Sequence, residues 1–205
     1  MTRAQPPART RTASADVTDS LLQSALALLA EGGTEAVTVR AVATHAGVAP
    51  MGVYSRFGGK AGLLEAVFVH GFDGLHAAIS AASGPDALSR LHHGCRAYRE
   101  FAVGHPHLYQ LMFQQMLELE LSDDAVERAT ATFGELVGRV ADAMESGQLL
   151  AADDVDVAQQ IWSVIHGAAS LDLAGISFTS DAEQTFENML VALLRGLAPP
   201  RPASS

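Results

Sequence analysis

The chain has 205 residues, 48% of them hydrophobic, which is enough apolar surface for a sizeable core and excludes a wholly disordered polymer. Its single cysteine, Cys95, excludes an intrachain disulfide framework, and no apolar run approaches the roughly 18 residues of a membrane-spanning helix. The net charge of −10 disfavours a nucleic-acid partner for the chain as a whole, but it is uneven: residues 1–60 carry six basic against four acidic side chains, a net of +2, which leaves −12 for the rest.

Residues 1–13 are rich in Arg, Thr and Pro and lack the apolar centre of a secretory signal, so they read as a disordered basic arm. Soluble, cytoplasmic residence is the expectation. Pro199, Pro200 and Pro202 mark 198–205 as a second disordered tail. Between the tails almost everything follows a helical period, with no sustained alternation of the kind a strand needs. The first helix spans about 16–30, with Leu21, Ala25 and Leu28, and Leu22, Ala25 and Leu29, sharing a face before Gly32-Gly33 stops it. Thr38 is a suitable N-cap for a short helix to about residue 45 that buries Ala41 and Val42. Gly47 sits where a tight turn needs positive φ. A third helix starts near Ala49, with Pro50 at the first helical position, and ends near Phe57. A fourth, about 60–81, turns Leu63, Leu64, Val67, Phe68 and Phe72 inward, and Gly84-Pro85 breaks the chain. Five further helices fit 86–104, 106–118, 123–146, 154–174 and 181–197, with Pro106 opening the second and Ser180-x-x-Glu183 a capping box for the last. The architecture predicted is all-α, with about nine helices.

Residues 38–57, TVRAVATHAGVAPMGVYSRF, have the organisation of a helix-turn-helix: a short positioning helix, a Gly-containing turn and a second short helix. The second helix is poor in core residues. Val53 and Phe57, four apart, can anchor it, whereas Pro50, Met51, Gly52, Ser55 and Arg56 give a small or polar face. Such a face suits close approach to base edges.

From Leu21 to Phe72 the chain resembles the DNA-binding domain of the TetR family. The resemblance rests on the apolar first helix ending in Gly-Gly, the T-V-R-x-V-A helix, the A-G-V turn, the V-Y-x-R-F close of the third helix and G-G-K-x-x-L-L opening the fourth. It implies that Thr38, Tyr54 and Lys60 contact phosphates and that Pro50, Met51, Gly52 and Ser55 face bases. Thr38 and Lys60 sit at helix N-termini, which favour anions, and Arg40 is placed to reach the backbone as well. Two features depart from the family pattern. Ala49 has no hydroxyl to cap the third helix, and Met51 and Gly52 offer no bidentate base partner. Readout then falls to Ser55, Met51 against thymine methyls, Arg56 if it points outward, and DNA shape. The resemblance further implies a homodimeric repressor on a palindromic double-stranded operator, released when a small ligand wedges the fourth helix.

In the body, Gly167, Ala168, Ala169 and Ser170 give a face with little bulk, and the last helix carries Phe186, Met189, Leu190, Leu193, Leu194 and Leu197 as a stripe. Together they read as a four-helix dimer interface, the alternative being an intrachain core face. Trp162-x-x-x-His166-Gly167 resembles a TetR subclass marked by Trp, His and Gly, and H-P-x-L-Y-x-L-M-F at 105–113 resembles the family's sixth helix. A body rich in Leu, Met and Phe suggests a small apolar ligand, with Tyr98, Phe101, Tyr109, Leu111, Met112, Phe113, Met116, Trp162 and His166 as pocket candidates. Plain packing is the alternative for each, and for His166 a core histidine satisfied by a neighbour. The expected domains are a DNA-binding head at 14–72 and a ligand-binding and dimerisation body at 73–197.

An enzyme is a rival reading. His92, His93 and Cys95, with His105 and His107, invite a metal site, but on a helix only His92 and Cys95 share a face. No zincin, nucleophile-elbow, Walker or dinucleotide-binding pattern occurs, so the expectation is no catalysis, no metal and no cofactor. A helical module that does not bind DNA is the other rival. It leaves the small, polar face of the second helix unexplained.

Overall fold

The computed structural model describes residues 14–200; the basic arm and the last five residues of the proline-rich tail lie outside the described residues. Among the described residues there are helices and no strand. The helices are α1 (Ser14–Ala36), α2 (Val39–His45), α3 (Met51–Phe57), α4 (Lys60–Ala81), α5 (Ala87–Gly104), α6 (Pro106–Phe113), α7 (Asp123–Glu145), α8 (Asp154–Leu173) and α9 (Ala182–Leu197), with a 3-10 turn at Met116–Glu118. The chain divides into two compact units between Val67 and Phe68, inside α4.

In the first unit Leu21, Ala25 and Leu29 of α1 form a buried core with Val37, Val42, Val53, Leu63 and Val67. The helical geometry of α1 fails at Gly32 and Gly33, the latter at φ 66°, and a last turn carries the chain to Ala36. Thr38 Oγ1 accepts the Ala41 N–H at 3.1 Å and caps α2. The buried pair in α2 is Val42 and Ala43; Ala41 belongs to the capped, partly exposed first turn. Gly47 takes φ 68° as its turn requires. Pro50 stands one position earlier than the sequence suggests: it is the N-cap of α3, at φ −53°, with no side-chain cap bond, and the helix begins at Met51. Gly58, at φ 71°, closes α3 by donating its N–H to the Tyr54 carbonyl. A Cβ at Gly62 would collide with the Phe57 carbonyl oxygen, so the start of α4 needs glycine there.

In the second unit α5, α7 and α8 pack against one another, and α9 lies on α8. Asp86, Ser122 and Asp153 cap α5, α7 and α8 by accepting the N–H three residues on. For α9 the cap is Asp181, whose Oδ1 accepts from Gln184 N at 2.9 Å, and not Ser180. A carboxylate suits the positive end of the helix dipole better than a hydroxyl. α6 ends at Phe113 rather than near 118, and the chain continues through the 3-10 turn into extended backbone at Leu119. No helix among the described residues is long and apolar enough to cross a membrane.

Candidate functional site

Two regions stand out, one in each unit. In the first, α3 is held by Val53, which is fully buried, while Met51 is 71% and Tyr54 53% exposed, and Pro50 and Ser55 are also exposed. Thr38, Arg40 and Lys60 are exposed as well, and Gly52 is half-buried. Arg56 lies back along its own helix: Nη1 donates to Ser55 Oγ at 3.1 Å and to the Gly52 carbonyl at 3.4 Å. Ser55 Oγ in turn donates to the Gly52 carbonyl at 3.1 Å. The outward surface of α3 is therefore Pro50, Met51 and Tyr54, with the Ser55 hydroxyl already engaged.

In the second unit a cavity of about 620 Å³ lies among α4, α5, α7, α8 and the irregular stretch after α6. Phe68, Phe72, Leu75 and Ile79 of α4 form one wall, and Phe133, Leu136 and Arg139 of α7 form another. Cys95 and Tyr98 of α5, Phe113, and Trp162 and Ile165 of α8 close the space with Met116, Leu117, Leu119 and Leu121. The Trp162 ring meets Phe113 and Phe133 with centroids 6.3 and 6.0 Å away. Behind Tyr98 sits a closed triangle: Tyr98 Oη lies 2.9 Å from Tyr109 Oη and 2.9 Å from His166 Nδ1, and Tyr109 Oη lies 2.7 Å from the same nitrogen. Burial raises both phenol pKa values and lowers that of the imidazole, so all three groups are neutral at physiological pH. Burial also pushes the Cys95 thiol up to about 12, against a smaller opposing pull from Arg139.

Residues 21–67 match the family described as bacterial regulatory proteins, tetR family, and residues 91–193 match the tetracyclin repressor-like C-terminal domain. The chain belongs to the TetR family. A TetR protein is a DNA-binding transcriptional regulator, and the helix-turn-helix of α2 and α3 is its DNA-binding element. An uncharacterised HTH-type transcriptional regulator of Mycobacterium tuberculosis is 25% identical over 183 residues, 87% of this chain and 80% of the relative. A Rhodococcus sp. RHA1 protein of unknown function superposes with a TM-score of 0.83 at 25% identity, covering 95% of this chain and 100% of the other. A Rhodococcus RHA1 regulatory protein of the tetR family shares the fold with a TM-score of 0.69 at 20% identity, covering 93% and 100%.

Within this TetR body the structure sorts the aromatic residues that the sequence offers together. Tyr98, Phe113, Met116 and Trp162 line the cavity. Phe101, Tyr109, Leu111, Met112 and His166 do not. Tyr109, Leu111 and Met112 have no exposure at all, because α6 presses on α4: a Cβ on Gly71 would stand 2.6 Å from Met112 Sδ. Phe101 packs beside Gly74 and on the His105 ring, and His166 supports Tyr98 from behind. The wall from α4 is absent from the candidates because Phe68, Phe72, Leu75 and Ile79 share the period of an ordinary core stripe. Arg139 is absent because Glu135-x-x-x-Arg139 looks like a solvated pair.

The stripe of α9 is also divided. Phe186, Leu190 and Leu194 are buried within the chain itself, with the Arg99 guanidinium 5.4 Å from the Phe186 ring centre, so they are core and not free interface. Met189 is 37% exposed and Leu193 partly so; on α8, Gly167 and Ala168 are partly exposed and the space beside Gly167 is open. Leu171, 51% exposed, extends that face. The histidines of α5 have separate partners: His92 pairs with Glu187 at 2.6 Å and His93 Nδ1 meets the Ser83 carbonyl at 2.6 Å. No group of three or more metal-capable side chains occurs among the described residues.

Proposed function

We propose that this TetR regulator is a cytoplasmic homodimeric repressor that binds a palindromic operator and is released by a small apolar ligand. The observation that carries the sensing half is the cavity of about 620 Å³, a size suited to a small molecule and walled mostly by hydrocarbon. Its α4 wall gives an occupant a direct mechanical hold on the helix that starts at Lys60. A coupling of roughly 1–3 kcal/mol between ligand and DNA is enough for regulation. We assign the head to 14–72 and the body to 73–197, with the basic arm adding affinity.

On DNA, Thr38, Arg40, Tyr54 and Lys60 contact phosphates, and Pro50, Met51, Gly52 and Ser55 face the bases. The exposure of all but the half-buried Gly52 supports this assignment. Close fit of a small, apolar helix face and two-fold spacing then dominate specificity, since Arg56 is turned along its helix. The dimer forms through Gly167, Ala168 and Leu171 of α8 with Met189 and Leu193 of α9, whose partial exposure leaves apolar surface to cover. The order Trp162-x-x-x-His166-Gly167 supports our further proposal that the chain belongs to a Trp-His-Gly subclass.

The test is titration onto a labelled fragment of the protein's own upstream region at several salt concentrations. Steep salt dependence and a protected palindrome support the repressor; no shift even at low salt refutes it. Trp162, the single tryptophan, reports on ligand through its emission, and a compound that changes emission and also frees DNA supports the sensor.

A further inference from the structure

One charged side chain reaches the cavity wall. Arg139 is 9% exposed, and all five of its N–H groups have acceptors. Nε donates to Glu135 Oε1 at 3.0 Å, Nη1 to the carbonyls of Ala82 at 3.1 Å and Arg90 at 2.8 Å, and Nη2 to those of Ile79 at 2.6 Å and Ser80 at 3.2 Å. The other hydroxyls in the wall are committed too. Thr132 and Thr130 donate to main-chain carbonyls of Phe72 and Val126, and Tyr98 belongs to its triangle. Arg139, Thr130, Thr132 and Tyr98 therefore offer an occupant no spare donor; the exposed Gln159 amide at the rim gives one N–H to Ser163 Oγ at 3.3 Å and keeps the other. Glu135, outside the lining, balances the guanidinium charge.

We propose that the cavity admits uncharged guests and rejects carboxylates, and that Glu135 sets this selectivity by neutralising Arg139. This rests on the ligand-sensing reading above. A carboxylate guest would lose hydration and meet a guanidinium whose charge and hydrogen bonds are already taken. With Glu135 made neutral, Nε loses its charged partner, the wall gains a net positive charge, and a carboxylate becomes a charge-assisted acceptor for it. At about 30 Å³ per solvent-sized group, the volume holds a guest on the order of 20 non-hydrogen atoms.

The experiment compares 1-dodecanol with dodecanoate, one chain length with two headgroups, by Trp162 fluorescence of the full-length protein at about pH 8, where the carboxylate is ionised. The wild type is expected to prefer the alcohol by about tenfold or more. Glu135→Gln is expected to shrink that ratio by about tenfold or invert it, whereas Glu135→Asp, which keeps the charge, preserves it. Equal or tighter binding of dodecanoate by the wild type overturns the proposal, as does an unchanged ratio in Glu135→Gln or failure of both probes to bind. If Glu135→Gln does not fold, the wild-type ratio still decides. DNA release is scored separately: selective binding of the alcohol without release leaves the charge filter standing and refutes the ligand-released repressor.

Discussion

Replacing Arg139 with Met keeps most of the aliphatic stem but removes five hydrogen bonds, four of them to main-chain carbonyls. Three of those carbonyls, Ile79, Ser80 and Ala82, belong to the end of α4 and the residue after it, where a helix has no further N–H groups of its own to offer. The guanidinium is thus a side-chain cap on α4, delivered from α7 and also tied to α5 through the Arg90 carbonyl. Each lost bond from a charged donor costs about 1.5–3 kcal/mol in isolation, but bonds from one group do not add. Breaking a buried pair by removing one partner costs about 3–5 kcal/mol, which sets the expected total. For a chain of this size that is a fall in Tm of roughly 6–20 °C. Thermal and denaturant unfolding followed by circular dichroism measure it, and hydrogen exchange should show the last turn of α4 losing protection first. A loss below about 1 kcal/mol, well under a single charge-assisted bond, would refute the idea that Arg139 holds the end of α4.

Three smaller perturbations follow from the same geometry. Thr38→Ala removes the α2 cap and should cost about 0.5–2 kcal/mol in urea unfolding, with Thr38→Ser restoring most of it. Burial lowers the pKa of His166 from its ordinary 6.5, so the unfolded chain takes up a proton before the folded one does. Stability is therefore full above about 6.5 and falls as pH drops from there toward the folded value; His166→Asn should remove that part of the slope in a pH series of melts. Cys95 is 1% exposed with its thiol pushed up to about 12, so iodoacetamide at about pH 8 should leave it unlabelled until denaturant is added. Rapid labelling of the native protein contradicts the closed packing of α5 against the cavity.

Where the chain carries local signals, the structure follows them closely. Gly32-Gly33, Gly47 and Gly58 each mark a place where backbone geometry, not packing, ends a helix, and Thr38 caps within three residues of itself. Signals of that range need no knowledge of the rest of the fold. Their absence accounts for the end of α6: between Phe113 and Ser122 there is no glycine or proline to announce a break. At the start of α9, Ser180 and Asp181 are both competent caps in adjacent positions, and the pattern alone does not choose between them. The body aromatics are harder still. Tyr109, Met112 and Phe113 sit on one short helix with equal claims to a pocket, and what separates them is the close approach at Gly71, a contact between residues far apart in sequence. Arg139 shows the same limit, since its four carbonyl partners come from α4, α5 and the turn that follows α4.

The stretch between Phe113 and Ser122 contributes Met116, Leu117, Leu119 and Leu121 to the cavity without a continuous helical ladder of its own, and Leu117 is 92% exposed. Helical walls resist insertion and deletion, because one residue more or less rotates every later side chain by about 100°. An irregular wall has no such phase to lose. Descendants of this chain can lengthen, shorten or reletter that one segment and so reshape the cavity, while the helices around it, and the head that reads DNA, keep their registers.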